Sequence, residues 1–61
     1  MIAKYVHLIG EDAGTIYKFI GFQNKDDKDK PIRHKLESEK DGTVVSLTSE
    51  ELADTKRWKM I

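Results

Sequence analysis

The stretch Thr15-Ile16-Tyr17-Lys18-Phe19-Ile20-Gly21-Phe22 constrains this chain more than any other part of it. Six of its eight residues are β-branched or aromatic, the side chains that suit a pleated, half-buried surface. Successive side chains of a strand point to opposite faces. Ile16, Lys18, Ile20 and Phe22 therefore fall on one face, and Tyr17 and Phe19 on the other. The run is apolar on both faces, and Gly21 inside it marks a bulge or a sharp bend.

A chain of 61 residues has the length for one domain, covering 1–61, and not for two. With 38% hydrophobic residues it can enclose one face of a sheet and lacks the material to cover the second. Two outcomes follow. Either the strand curls tightly at Gly21 and buries both sets of side chains, or part of Ile16, Ile20 and Phe22 is left for a partner. That partner is a foreign protein or a second copy of the chain. Ile16, Lys18, Ile20 and Phe22 are the candidate protein-binding residues.

The remaining segments read as short strands separated by turn signals. Ile2 to Ile9 forms the first strand, with Ile2, Val6 and Leu8 facing one way and Ala3, Tyr5 and Ile9 the other. Gly10 to Gly14 is a turn, because two glycines bracket two acids. Gln23 to Pro31 is a polar loop of alternating charge. Ile32 to Glu37 alternates cleanly, with Ile32, His34 and Leu36 inward and Arg33, Lys35 and Glu37 outward. Asp41-Gly42 is a hairpin signal, since both residues tolerate positive φ, and Thr43 to Leu47 follows as the fourth strand. Thr48 with Glu51 three residues on fits a capping box for a short helical turn to Asp54, anchored by Leu52. Lys56 to Ile61 closes the chain as a fifth strand.

The tail from Gly42-Thr43-Val44-Val45-Ser46-Leu47 through Thr48-Ser49-Glu50-Glu51-Leu52 to Trp58-Lys59-Met60-Ile61 resembles the end of SH3-like small barrels. These run strand, short helical turn, closing strand. The tail is also similar to those of small barrel proteins of phages and prophages. The resemblance implies a mainly all-β fold: an SH3-like barrel or curled antiparallel sheet of four to five strands, with one short helical turn near the C-terminus. It implies an accessory role and carries no functional motif. The aromatic pair that many SH3 domains place in their first long loop is missing after Gly10.

Composition narrows the chemistry. There is no cysteine, hence no disulfide, thiolate zinc site or cysteine nucleophile. Met1-Ile2-Ala3-Lys4-Tyr5 does not read as a signal peptide, and no apolar run approaches a membrane span. The expectation is a cytoplasmic protein without membrane contact. No Gly-x-Ser-x-Gly or phosphate-cradling loop occurs. His7 and His34 are the only histidines, and neither lies in a metal-ligand spacing. No catalytic residue, metal ligand or cofactor is assigned. The eleven basic and eleven acidic residues cancel, which removes a general attraction to polyanions. A local basic face remains open to Lys18, Arg33, Lys35, Arg57 and Lys59, with Tyr17, Phe19 or Trp58 for base stacking. The plainer reading is that Arg33 and Lys35 keep a strand soluble and that Trp58 is core. The expected function is a non-catalytic protein–protein interaction module, with a nucleic-acid-binding small barrel as the alternative.

Overall fold

The computed structural model of the chain describes residues 3–61; the expected placement of Ile2 lies outside them. Five strands form: β1 (Lys4–His7), β2 (Ile16–Gln23), β3 (Arg33–Ser38), β4 (Val44–Thr48) and β5 (Trp58–Met60). One helical turn, α1 (Ser49–Leu52), stands between the last two. They make one antiparallel sheet in the order β4-β3-β2-β1-β5. Of the two forms expected, the curled sheet is the one built. β4 and β5 are its two edges. They meet through side chains, since Trp58 of β5 packs in the cluster that Val45 and Leu47 of β4 line.

Each connection follows from its residues. Gly10 and Gly14 adopt positive φ in the β1–β2 turn, and the Gly14 N–H donates to the His7 carbonyl at 2.7 Å. In the β3–β4 turn the Ser38 hydroxyl is buried and accepts from the Lys40 N–H at 3.1 Å. Asp41 accepts from the Thr43 N–H at 3.0 Å, and that bond holds its carboxyl below the usual range. The capping box forms in both directions. Thr48 Oγ1 accepts from the Glu51 N–H at 3.2 Å, and Glu51 Oε1 accepts from the Thr48 N–H at 3.1 Å. These bonds depress the Glu51 pKa. A single turn cannot persist alone; Leu52 secures it against the core.

The core lies in the concave face. Tyr17, Leu36 and Trp58 are buried, Leu36 at 0% exposure, and Tyr5, Phe19, Val45, Leu47 and Leu52 pack around them. Register sets the membership. Tyr5 stands opposite Tyr17, Phe19 opposite Leu36, Leu36 opposite Val45, and His7 opposite Trp58.

Three expectations need correction. The first and last strands are shorter than their apolar runs: Leu8, Ile9 and Ile61 lie outside the ladders and are exposed. Ile32 precedes β3 rather than starting it and is also exposed. The third correction concerns Phe22. Phe19 pairs with Leu36 and Gly21 with Lys35, so Ile20 is an extra residue, a β-bulge. The bulge reverses the alternation beyond it. Phe22 swings to the concave side, with its ring 5.0 Å from Phe19 and 5.1 Å from His34. Gly21 makes this possible with φ 149°, a conformation side chains resist.

Candidate functional site

The outer face carries most of the residues the sequence singles out. Ladder register gathers Lys4, Val6, Ile16, Lys18, Arg33, Lys35, Glu37, Val44, Ser46 and Lys59 on it. Ile20 joins them at the bulge. Among the described residues no second layer covers this side. Ile16 remains 37% exposed and Ile20 43%. Three of the four candidate protein-binding residues, Ile16, Lys18 and Ile20, thus share one open surface. Phe22 does not share it, because of the bulge.

The candidate basic residues divide the same way. Lys18, Arg33, Lys35 and Lys59 lie on the outer face; Arg57 does not. It sits in the turn before β5, 3.4 Å from Asp54, and lines the concave side. Lys18 reaches Glu37 at 3.4 Å. Arg33 donates to Ser46 Oγ at 3.1 Å and approaches Glu51 at 3.7 Å. Lys4, which the sequence reading passed over, belongs to the same surface and pairs with Glu39 at 3.1 Å. Lys35 and Lys59 have no carboxylate within 4.0 Å among the described residues. Glu37 is the only acid on any strand, so the sheet's outward charge is mostly positive although the chain sums to zero. The rings proposed for base stacking, Tyr17, Phe19 and Trp58, all lie on the opposite, concave face.

That concave face holds an arrangement the sequence did not disclose. Asp12, in the β1–β2 turn, folds back over the sheet. Its Oδ2 accepts from the Tyr17 hydroxyl at 2.6 Å, and its Oδ1 lies 2.8 Å from His7 Nδ1. The phenol bond, with the His7 bond behind it, lowers the Asp12 pKa. The same bond, with desolvation, pushes Tyr17 up to about 12. An ionised carboxylate can only accept, so Nδ1–H of His7 is the donor in this contact. The His7 ring stacks on Trp58, centroids 4.4 Å apart, and Tyr17 meets Trp58 edge-on at 5.2 Å. These groups line a pocket of about 240 Å³ with Val45, Leu47, Glu51 and Arg57. The Tyr17 proton is committed to Asp12, so the trio works as a clasp holding the turn over Trp58. Its members meet only when β1, β2 and the turn are assembled. An acid in a turn five residues from a strand histidine is the one weak sequence signal for it.

Among the described residues no group of three or more His, Asp or Glu side chains could hold a metal ion, and no helix is long and apolar enough to cross a membrane. Comparison with protein-family models, with curated proteins and with solved structures finds no match to this chain.

Proposed function

We propose that this chain is a non-catalytic protein-interaction module that presents the outer face of its sheet to a partner. The observation that carries the reading is the pair Ile16 and Ile20, both exposed on a face with no layer over it. Covering a side chain of this kind releases up to roughly 1.5–3 kcal/mol before association costs. Lys18 between them keeps the free surface soluble and supplies a charge for orientation. The order β4, α1, β5 supports an SH3-like outline, and the phage or prophage accessory role implied by that likeness is part of this proposal. So is a cytoplasmic setting.

The test is Ile20→Lys, read by light scattering at micromolar concentrations and by a thermal melt. A wild type that self-associates, with a folded monomeric variant, supports an interface between copies. A monomeric wild type with a folded variant directs the search to a foreign partner. An unfolded variant means that Ile20 is core, and the proposal fails.

One observation favours a second reading, nucleic-acid binding: Lys18, Arg33, Lys35 and Lys59 share a face. Against it, the aromatic rings lie on the other side, so this surface offers backbone contacts without stacking. Retention on a polyanion resin that falls steeply with salt is the expected sign of that mode.

A further inference from the structure

The outer face has a charge pattern that specifies its occupant more narrowly than exposure alone. Glu37, Glu39 and Glu51 are engaged by Lys18, Lys4 and Arg33. Lys35 and Lys59 keep their charge without a carboxylate within 4.0 Å among the described residues. They stand at opposite corners of the aliphatic patch. Lys59 is level with Val6, which pairs with Ile16; Lys35 is level with Gly21, beside Ile20.

The separation follows from sheet geometry. From β5 through β1 and β2 to β3 is three strand spacings, or about 14 Å, and four residues along the strands add about 13 Å. The diagonal between the two backbone positions is therefore about 20 Å. It crosses β1 between Val6 and Lys4 and β2 between Lys18 and Ile20. An extended chain rises about 3.3 Å per residue, so acids six positions apart match that diagonal. The two positions between them that face the same way fall beside Val6 and Ile20 and the aliphatic stems of Lys4 and Lys18.

Resting on the interaction reading above, we propose that the partner is an acidic protein segment in extended form. Its carboxylates reach Lys35 and Lys59, and its two intervening aliphatic side chains lie against Val6 and Ile20 and the stems of Lys4 and Lys18, whose ammonium groups pair with Glu39 and Glu37. A protein segment fits better than nucleic acid because the two intervening cations, Lys4 and Lys18, are already paired with Glu39 and Glu37, and what flanks them is the aliphatic Val6 and Ile20. A phosphate backbone has nothing to bury there, and the rings that could stack face away.

The test uses a synthetic peptide of the pattern Glu-x-Ile-x-Ile-x-Glu with neutral polar residues at x. It is titrated into the ¹⁵N-labelled full chain and followed by amide shifts. A matched peptide carries Gln for both Glu, and a short single-stranded DNA is the third probe. The expected result is saturable shifts confined to Lys4, Val6, Lys18, Ile20, Lys35 and Lys59. The Gln peptide and the K35Q/K59Q variant should each weaken binding about fivefold, the scale of two exposed ion pairs. Raising salt from about 50 mM to about 300 mM should erase most of that difference, because screening then acts within a few ångströms. Equal binding of both peptides on the outer face would overturn the acidic partner and leave the interaction surface standing. Shifts centred on Trp58, no shifts with either peptide, or tighter binding of the DNA on the same face would each overturn this inference. Only the first moves the interaction surface itself to the concave side.

Discussion

The concave and outer faces are made by the same five strands, yet they are held to different standards. On the concave side Tyr17, Leu36 and Trp58 exclude water, and the polar atoms of His7, Asp12 and Tyr17 are bonded to one another. On the outer side isoleucines and lysines alternate in the open, and three of the cations have only exposed or partly exposed partners. The difference teaches where stability resides in so small a chain. A domain of this size has roughly 3–5 kcal/mol to lose. Nearly all of it must come from one face, which leaves the other free to be set by what it contacts.

The sharpest way to break that contrast is Trp58→Ala. Trp58 is 7% exposed and touches His7, Tyr17 and the β4 side chains. Truncating it costs about 3–5 kcal/mol, the whole expected stability, so the variant should show no cooperative melt at room temperature. A midpoint near that of the wild type would mean the concave face is not the main source of stability.

Next in size is Gly21→Ala. A Cβ at this position would meet nothing within 4 Å, so any loss comes from backbone conformation alone. At φ 149° the cost should be about 1–3 kcal/mol, read from denaturant midpoints. An unchanged midpoint would show that the bulge can relax into a conformation open to any residue.

A third measurement is the pH dependence of the melt. Asp12, Asp41 and Glu51 have depressed pKa values in the fold. Their contribution is present above the ordinary carboxylate range, about pH 4, and is lost as pH falls through the folded values. Tyr17 is raised from 10.0 to about 12. Its contribution is complete below pH 10.0 and is lost as pH rises toward 12. The melting midpoint should therefore be flat near neutrality and fall at both ends. Tyr17→Phe should remove the alkaline fall and make the acid fall shallower, with a smaller loss at neutral pH than Trp58→Ala. An alkaline limb unchanged in the variant would remove the clasp from the account.

The smallest effect belongs to the outer face. Ile20→Lys should alter monomer stability by no more than about 0.5 kcal/mol, measured in the same melts. A large loss would place Ile20 inside the core and erase the contrast between the faces.

Local rules made much of this legible. The Thr48–Glu51 capping box, the hairpin glycines, the charged outer side of β3 and the interruption at Gly21 were readable because each depends on residues close in sequence. Strand order was not, since the pairing of β1 with β5 joins opposite ends of the chain. Phe22 departs from the sequence expectation for a specific reason: simple alternation puts it with Ile16 and Ile20, whereas the extra residue of the bulge inverts the faces after it. Arg57 was counted with strand cations because the run before Trp58 looks extended, whereas the turn through Asp54 delays β5 until Trp58. The Asp12 clasp needed three-dimensional closure. In the candidate interface Lys4 carries no local signal of its own; the register that sets it opposite Lys18 is what brings it there.

The bulge at Ile20 also gives the chain an uneven tolerance to changes in its own length. Deleting Ile20 would remove only the extra residue and leave Gly21 opposite Lys35 and Phe22 opposite His34, whereas deleting a paired residue such as Lys18 would make Tyr17 and Phe19, which share the concave face, neighbours that point to opposite faces. Deleting one residue between Asn24 and Ile32 changes a loop whose closure depends only weakly on its length. Two single-residue deletions a few positions apart should thus have opposite fates. Natural or engineered length variants of this sequence should accumulate after Gln23 or at the bulge and be excluded from the paired positions of β2.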